Sequence, residues 1–333
     1  MRKGRGEVVE PPRLLLPARV NQTPMSAVLT VADEGAIIDF DATLDRYRRY
    51  GSDLANRFED GVFTKIVRAP HGTCLITLYR SGNRIVMGLR PKNSAGGPDP
   101  STVDPVLIDA ALEAAKKILG LTAPLQAFYT FASEDPVLSA AVDTHRGLRL
   151  NLQVDPFEML VGSITAQQIN LGFAYTVRGR LVAEYGESLR FDGETHYAFP
   201  TPERLAELNT GDLIPMQFSR QKERYILNLA RAVRSGEIDL DGLKELDDAS
   251  VQEELTALVG IGRWTADWFL ARYLGRGHVI AAGDLAVKRS IERHYFNGER
   301  VSEEQIRDFA ARWGDFTNLA VQYLLADYGS GGT

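Results

Sequence analysis

The alternation that marks β-strands stops near Gly120, and that single change of periodicity limits what this chain can fold into. Upstream, Thr64–Ala69, Thr73–Tyr79 and Arg84–Leu89 are rich in β-branched and aromatic residues, with Pro70-His71-Gly72 and Ser81-Gly82-Asn83 as the turns between them. Helical character precedes them at Asp41–Phe58 and follows at Val106–Leu119. Downstream, Asp135–His145, Asp155–Tyr185, Thr201–Asn209, Ser219–Ser235, Leu240–Leu246, Ala249–Val259, Arg263–Leu274, Asp284–Tyr295, Ser302–Trp313 and Ala320–Tyr328 all read as helices. Strands followed by helices, with no interleaving, give an α+β fold: an antiparallel sheet domain, then an all-helical region. Asp155-Pro156 and Thr201-Pro202 each set a capping side chain before a proline at the first helical position. Ser302 to Gln305 has the spacing of a capping box. The expected division is an extension over 1–24, a mixed sheet domain over 25–121 and a helical region over 122–333. Lys92–Pro105 reads as a long polar loop.

Composition narrows the function. At 333 residues, with 44% hydrophobic and 25% charged residues, the chain has ordinary soluble proportions and room for more than one core. It has no apolar run of about 18 residues, so no membrane partner is expected. The basic amino terminus lacks the roughly 7–15 apolar residues of a secretory signal. Cys74 is the only cysteine, which excludes an iron–sulfur cluster or thiolate zinc site built within one chain. A cytoplasmic setting is expected. The net charge of −6 weighs only weakly against nucleic acid, because phosphate contacts come from one face.

Five features carry candidate chemistry. Leu258-Val259-Gly260-Ile261-Gly262-Arg263-Trp264-Thr265-Ala266 reads as helix, tight turn, helix. Its glycines permit sharp turning and close approach, and the helix start offers unpaired N–H groups to an anion such as a DNA phosphate. An ordinary corner between helices has the same pattern. Phe157–Ile169 is largely apolar but ends in Gln167-Gln168, either a functional helix end or a solvated turn. Arg220, Lys222, Arg224, Arg231 and Arg234 either cover phosphates or form a solvated face. Asp284 follows Gly283 and opens a helix; it is either a plain cap or a capped carboxylate placed to stabilise a developing cation. Trp264, Trp268, Phe269, Tyr273, Trp313, Phe316 and Tyr323 are dense around the turn, as core or as a stacking pocket for an extruded base.

Together these pieces resemble the helix–hairpin–helix (HhH-GPD) DNA glycosylase superfamily, most closely its 3-methyladenine DNA glycosylase II (AlkA-type) branch. The resemblance runs from about Asp135 to Tyr328 and rests on Asp155-Pro156-Phe157-Glu158, the Ile164–Gln168 helix end, the hairpin, and Asp284 with Lys288. Gly262 and Asp284 lie 22 positions apart, about the family's gap. It implies a TBP-like amino-terminal sheet and a two-lobed helical region with the active-site cleft between the lobes.

Further expectations follow from the resemblance. Val259, Gly260, Gly262, Thr265 and Lys288 would contact DNA, with a sodium or potassium ion at the backbone of Val259 and Gly262. Gln168 would fill the gap left by an extruded nucleotide. Asp284 would be catalytic, and Trp264, Trp268 and Tyr323 would line the base pocket. Lyases of the superfamily carry lysine where this chain has Trp264, so no Schiff base is expected. The implied activity is monofunctional hydrolysis of alkylated bases of the 3-methyladenine and 7-methylguanine type in double-stranded DNA, leaving an abasic site. A monomer at the bacterial nucleoid, requiring no cofactor, is expected. The other readings are a glycosylase for hypoxanthine, uracil or oxidised purine, and a non-catalytic DNA-binding protein. Gln168 and Leu324-Leu325 depart from the branch's leucine and second pocket tryptophan, which bears on substrate range.

Overall fold

A computed structural model describes residues 25–92, 103–191 and 193–330. The 1–24 extension and most of the polar loop before Pro105 lie outside the described residues. In the sheet domain, β1 (Ala27–Ala32) is followed by α1 (Phe40–Leu44), α2 (Arg46–Arg49), β2 (Arg57–Glu59), β3 (Val62–Ala69), β4 (Gly72–Ser81), β5 (Arg84–Pro91) and α3 (Pro105–Ile118). Among the described residues five strands form one antiparallel sheet in the order β1-β5-β4-β3-β2. Phe63, Ile76, Leu78, Met87 and Leu89 pack under α3 through Leu107, Ala111 and Ile118. The edge strands β1 and β2 were not expected. β2 spans three residues, too few to register as an alternation.

The remainder runs α4 (Leu125–Ala132), α5 (Pro136–Thr144), α6 (Pro156–Ala166), α7 (Leu171–Tyr185), β6 (Ser188–Phe191), β7 (Glu194–Tyr197), α8 (Pro202–Ala206), α9 (Arg220–Ser235), α10 (Asp248–Ala257), α11 (Arg263–Arg272), α12 (Leu285–Tyr295), α13 (Glu303–Ala310) and α14 (Thr317–Ser330). Two expectations are corrected here. The region is not all helical, because β6 and β7 pair as a hairpin. Leu189 and Phe191 of this hairpin pack on Ile66 and Leu75 of the sheet domain, so its apolar partners lie far away in sequence. The helix expected over Asp155–Tyr185 is two helices, broken at Gln167 to Asn170, where Asn170 caps α7 by accepting from the Phe173 N–H at 2.8 Å.

The helices form two cores. One gathers α6 to α11 around Leu160, Ile164, Ile226, Leu255 and Phe269. The other gathers α4, α5 and α12 to α14 around Phe128, Leu138, Ile291, Trp313 and Tyr323. Trp268 of α11 packs against both, so it lies on the boundary between the lobes. No helix among the described residues is long and apolar enough to cross a membrane.

A buried ionic cluster joins the sheet domain to the first lobe. Lys65 Nζ donates to Glu158 Oε2 at 2.9 Å and to Asn56 Oδ1 at 2.8 Å. Asn56 Nδ2 and Arg178 Nη2 both donate to Glu158 Oε1 at 2.6 Å. Burial alone would raise the Glu158 carboxyl, but the charges of Lys65 and Arg178 hold it down at about 2. Asp155, which caps α6, is pushed up instead, first by burial and then by the Glu158 charge.

Candidate active site at the helix–hairpin–helix

The hairpin follows from its two glycines. Gly260 has φ of +97°, and a Cβ there would come within 2.2 Å of the Tyr225 ring of α9. Both the backbone and the packing therefore require glycine. Ile261 is buried and anchors the turn, while Val259 is 59% exposed at its tip. Gly262 is the N-cap of α11 and has no side chain to bond the first turn, which leaves the N–H groups of Arg263 and Trp264 without a side-chain cap and open to an external anion.

The expected intercalating segment lies beside it. α6 stops at Ala166, and Gln168 sits in the left-handed region at φ +57°, exposed in the turn that follows. That strained backbone turns its side chain out of the helix. Gln167, its neighbour, donates from Nε2 to the Gly260 carbonyl at 3.0 Å, and Lys222 Nζ of α9 donates to the Thr165 carbonyl at 2.8 Å. Hairpin, turn and α9 are thereby one unit. Of the basic stretch, Lys222 is used in this way and Arg231 donates to the Leu208 carbonyl at 2.9 Å. Arg220, Arg224 and Arg234 are exposed.

Asp284 is both a cap and a focus. Its Oδ1 accepts from the N–H groups of Ala286 (2.9 Å) and Val287 (3.1 Å), fixing it at the start of α12. Its Oδ2 accepts from Trp264 Nε1 at 3.0 Å and Trp268 Nε1 at 3.3 Å. A carboxylate has lone pairs for all four donors. The two indoles stand four residues apart on α11, one turn and one face, so the second hairpin helix itself aims the carboxylate. Lys288, one turn into α12, is half-buried and pairs with no acid among the described residues. It is available to a phosphate.

Two expected site residues lie elsewhere. Tyr323 is fully buried in the second lobe, where its hydroxyl donates to the Leu148 carbonyl at 2.8 Å and meets the Tyr129 hydroxyl at 2.9 Å. It belongs to the core and not to a base pocket. Thr265 is 1% exposed with its hydroxyl enclosed, and its N–H donates to the Gly262 carbonyl at 3.0 Å, so it presents nothing to DNA. Phe269, Tyr273 and Trp313 are likewise buried.

Other functional residues give little local signal. Asp267, buried in α11, accepts from Gln252 (3.0 Å), Arg263 (2.9 Å) and Arg307 (2.7 Å), tying α10, α11 and α13 together. Arg272 extends the Trp264–Trp268 face by one more turn. Its guanidinium carbon lies 5.2 Å from the centroid of Trp268, and its Nη2 donates to Gln322 Oε1 of α14 at 2.6 Å. Burial first, and then the charge of Arg46 of α2, hold this guanidinium down at about 9 against the opposing charge of Asp284. It stays positive at neutral pH.

Residues 161–315 match the model of the HhH-GPD superfamily of base excision DNA repair proteins. It is 27% identical over 290 residues to the DNA-3-methyladenine glycosylase of Bacillus subtilis, covering 86% of this chain and 93% of that protein. The 3-methyladenine DNA glycosylase from Archaeoglobus fulgidus superposes with a TM-score of 0.79 at 25% identity, over 92% of this chain and 100% of that one. The Clostridium acetobutylicum 8-oxoguanine glycosylase/lyase, solved with double-stranded DNA containing cytosine opposite 8-oxoguanine, superposes at 0.69 and 21% identity, over 89% of this chain and 93% of that chain. That last likeness is one of fold.

Proposed function

We propose that this chain is a monofunctional DNA glycosylase that excises alkylated bases from double-stranded DNA. The observation that carries the reading is Asp284, held by two backbone N–H groups and two indoles of the second hairpin helix. The hairpin backbone at Val259, Gly260 and Gly262, with Lys288, holds phosphates. Gln168 enters the duplex where the nucleotide has left. As the C1′–N bond breaks, its electron pair leaves with the base, and the sugar takes on oxocarbenium character. Asp284 faces that charge as a fixed anion. Water adds its oxygen to C1′ and releases a proton to solvent, or to the base when the base departs as an anion. The product is an abasic site.

Trp264 occupies the place where a lyase needs an amine, and an indole N–H bonded to Asp284 cannot form a Schiff base. The expected hairpin cation gains little support from the geometry. The Gly262 carbonyl closes the first turn of α11 by accepting from Thr265 and Ala266, so it is not free to serve as one wall of a cage. No step of the reaction passes through a metal.

The test is release of free base from a methylated duplex under single-turnover conditions. Asp284→Asn should slow release by about 100- to 1,000-fold or more while duplex binding persists. Release at the wild-type rate by that variant would remove Asp284 from the mechanism. Borohydride should trap no covalent DNA adduct; a trapped adduct would overturn the monofunctional assignment.

A further inference from the structure

The outer face of α9 carries charge that the proposed reaction leaves unused. Arg220, Arg224 and Arg231 are exposed there, separated by one turn and then by two. With Asn228 they line a groove of about 420 Å³ between α9 and Thr210 of the preceding loop. Arg220 and Arg224 stand at i and i+4, where like charges repel. Neither pairs with an acid among the described residues; Arg224 lies over the Tyr225 ring, 5.6 Å from its centroid. Arg231 donates from Nη2 to the Leu208 carbonyl and keeps other donors free. Glu223, the one acid in the lining, is turned inward. It is 1% exposed, its Oε1 accepts from the N–H groups of Gly211 at 2.9 Å and Leu213 at 2.8 Å, and its Oε2 is enclosed. An anion in the groove therefore meets guanidiniums and no exposed carboxylate. In a chain of net charge −6, this is a local reversal of sign.

The position of the groove names the anion. Tyr225 of the same helix packs against Gly260 of the hairpin, and its hydroxyl accepts from Gln221 Nε2 at 2.5 Å. Lys222 holds the Thr165 carbonyl at the end of α6, just before the Gln168 turn. The groove thus starts beside both segments assigned to DNA. From Arg220 to Arg231 is about 16 Å along the helix axis. A DNA strand carries one phosphate per roughly 3.4 Å of duplex axis, so the stripe matches about five steps.

We propose that the outer face of α9 seats the backbone of the flanking duplex, about five base-pair steps beyond those held by the hairpin, whatever their sequence. The inference rests on the DNA-binding part of the glycosylase reading and extends it from the lesion to one arm beside it. Guanidiniums on phosphate oxygens fix register and orientation and read no bases. Each phosphate they neutralise releases counterions, so the contact is strongly salt-dependent and serves undamaged DNA equally well.

The decisive measurement is binding to a duplex carrying a chemically reduced abasic site, which no glycosylase can process, by wild type and by Arg220→Gln/Arg224→Gln. With long arms on both sides, the double variant should show a log–log salt slope smaller by about 1.8. Between roughly 50 and 200 mM salt, wild type should then lose about tenfold more affinity than the variant. Shortening the arms one at a time should weaken wild type over a window of about five base pairs on one side, and leave the double variant unmoved across that window. An unchanged slope, or the same arm-length dependence in both proteins, would overturn the inference. So would a variant whose self-association changes while its slope does not, which would make the groove a seat for the acidic surface of a second copy. The thermal midpoint of the double variant should hold, since both side chains are exposed. If loss of the Tyr225 stack disturbs the hairpin, Arg220→Gln alone carries the test, with a slope change of about 0.9. The readout is binding and not base release, so failure here leaves the glycosylase reading to its own assay.

Discussion

Two of the places where this molecule buries charge do it in opposite ways. At the seam between the sheet domain and the first lobe, Glu158 is 2% exposed and every oxygen is engaged, by Lys65, Arg178 and Asn56. Beside Trp268, Arg272 is 8% exposed and donates to the uncharged Gln322. Saturated charge has no capacity left for a ligand, and its role is to fix geometry. At Arg272 no nitrogen is both enclosed and without a partner among the described residues, so its spare donors keep access to solvent. The contrast separates a charge locked into the fold from one that keeps its donors open beside Trp268.

The sharpest way to break the comparison is at the seam. Glu158→Ala would leave Lys65 without its paired carboxylate and Arg178 with Asp53 alone, and about 3–5 kcal/mol of stability should be lost, read by denaturant unfolding. Loss of under about 1 kcal/mol would mean the cluster is not the tie described. The pH dependence has a definite sign. Glu158 is held at about 2 in the fold against 4.5 ordinarily, so its contribution is complete above about pH 4.5 and disappears as pH falls toward 2. The stability gap between wild type and Glu158→Gln should close over that window and stay constant above it.

Smaller effects are expected at the cleft side. Gly260→Ala puts a Cβ into the Tyr225 ring at a left-handed position and should cost about 1–3 kcal/mol, with duplex affinity falling in parallel. Adding Tyr225→Ala should restore part of the stability, since it removes the clash but not the backbone strain. Unchanged melting of Gly260→Ala would contradict the packing. The smallest effect belongs to Lys288→Ala, which should reduce the log–log salt slope of duplex binding by about 0.9 and leave base release from bound DNA unaltered. An unchanged slope would place Lys288 off the phosphate track.

What the sequence disclosed follows the range of each interaction. Gly260, Gly262 and the Asp284 cap are local: turn, cap and helix start are encoded within a few neighbouring residues, and their readings survive in three dimensions. The end of the apolar helix at Gln167-Gln168 is legible in the sequence, although the break that follows and the left-handed backbone of Gln168 are not. Tyr323 and Thr265 misled because an aromatic or threonine in a helix does not announce which face turns inward, and only the second lobe's packing decides it. Glu158 and Lys65 are 93 residues apart, so their pairing had no local trace. Arg272 looked like a basic residue closing a helix, an ordinary place for one. Its hydrogen-bond partner Gln322 lies 50 residues on. The β6–β7 hairpin escaped for the same reason, since its apolar contacts are in another domain.

The seam also bears on how a nucleotide gets in. With Lys65, Glu158 and Arg178 interlocked, the sheet domain cannot swing as a jaw without breaking several buried bonds at once. The hairpin, the Gln168 turn and α9 are likewise fastened to one another. The protein therefore behaves as a stiff die, and nearly all of the deformation must be borne by the duplex. Lesions that already soften stacking or pairing then meet the lowest barrier before any contact with the base is made.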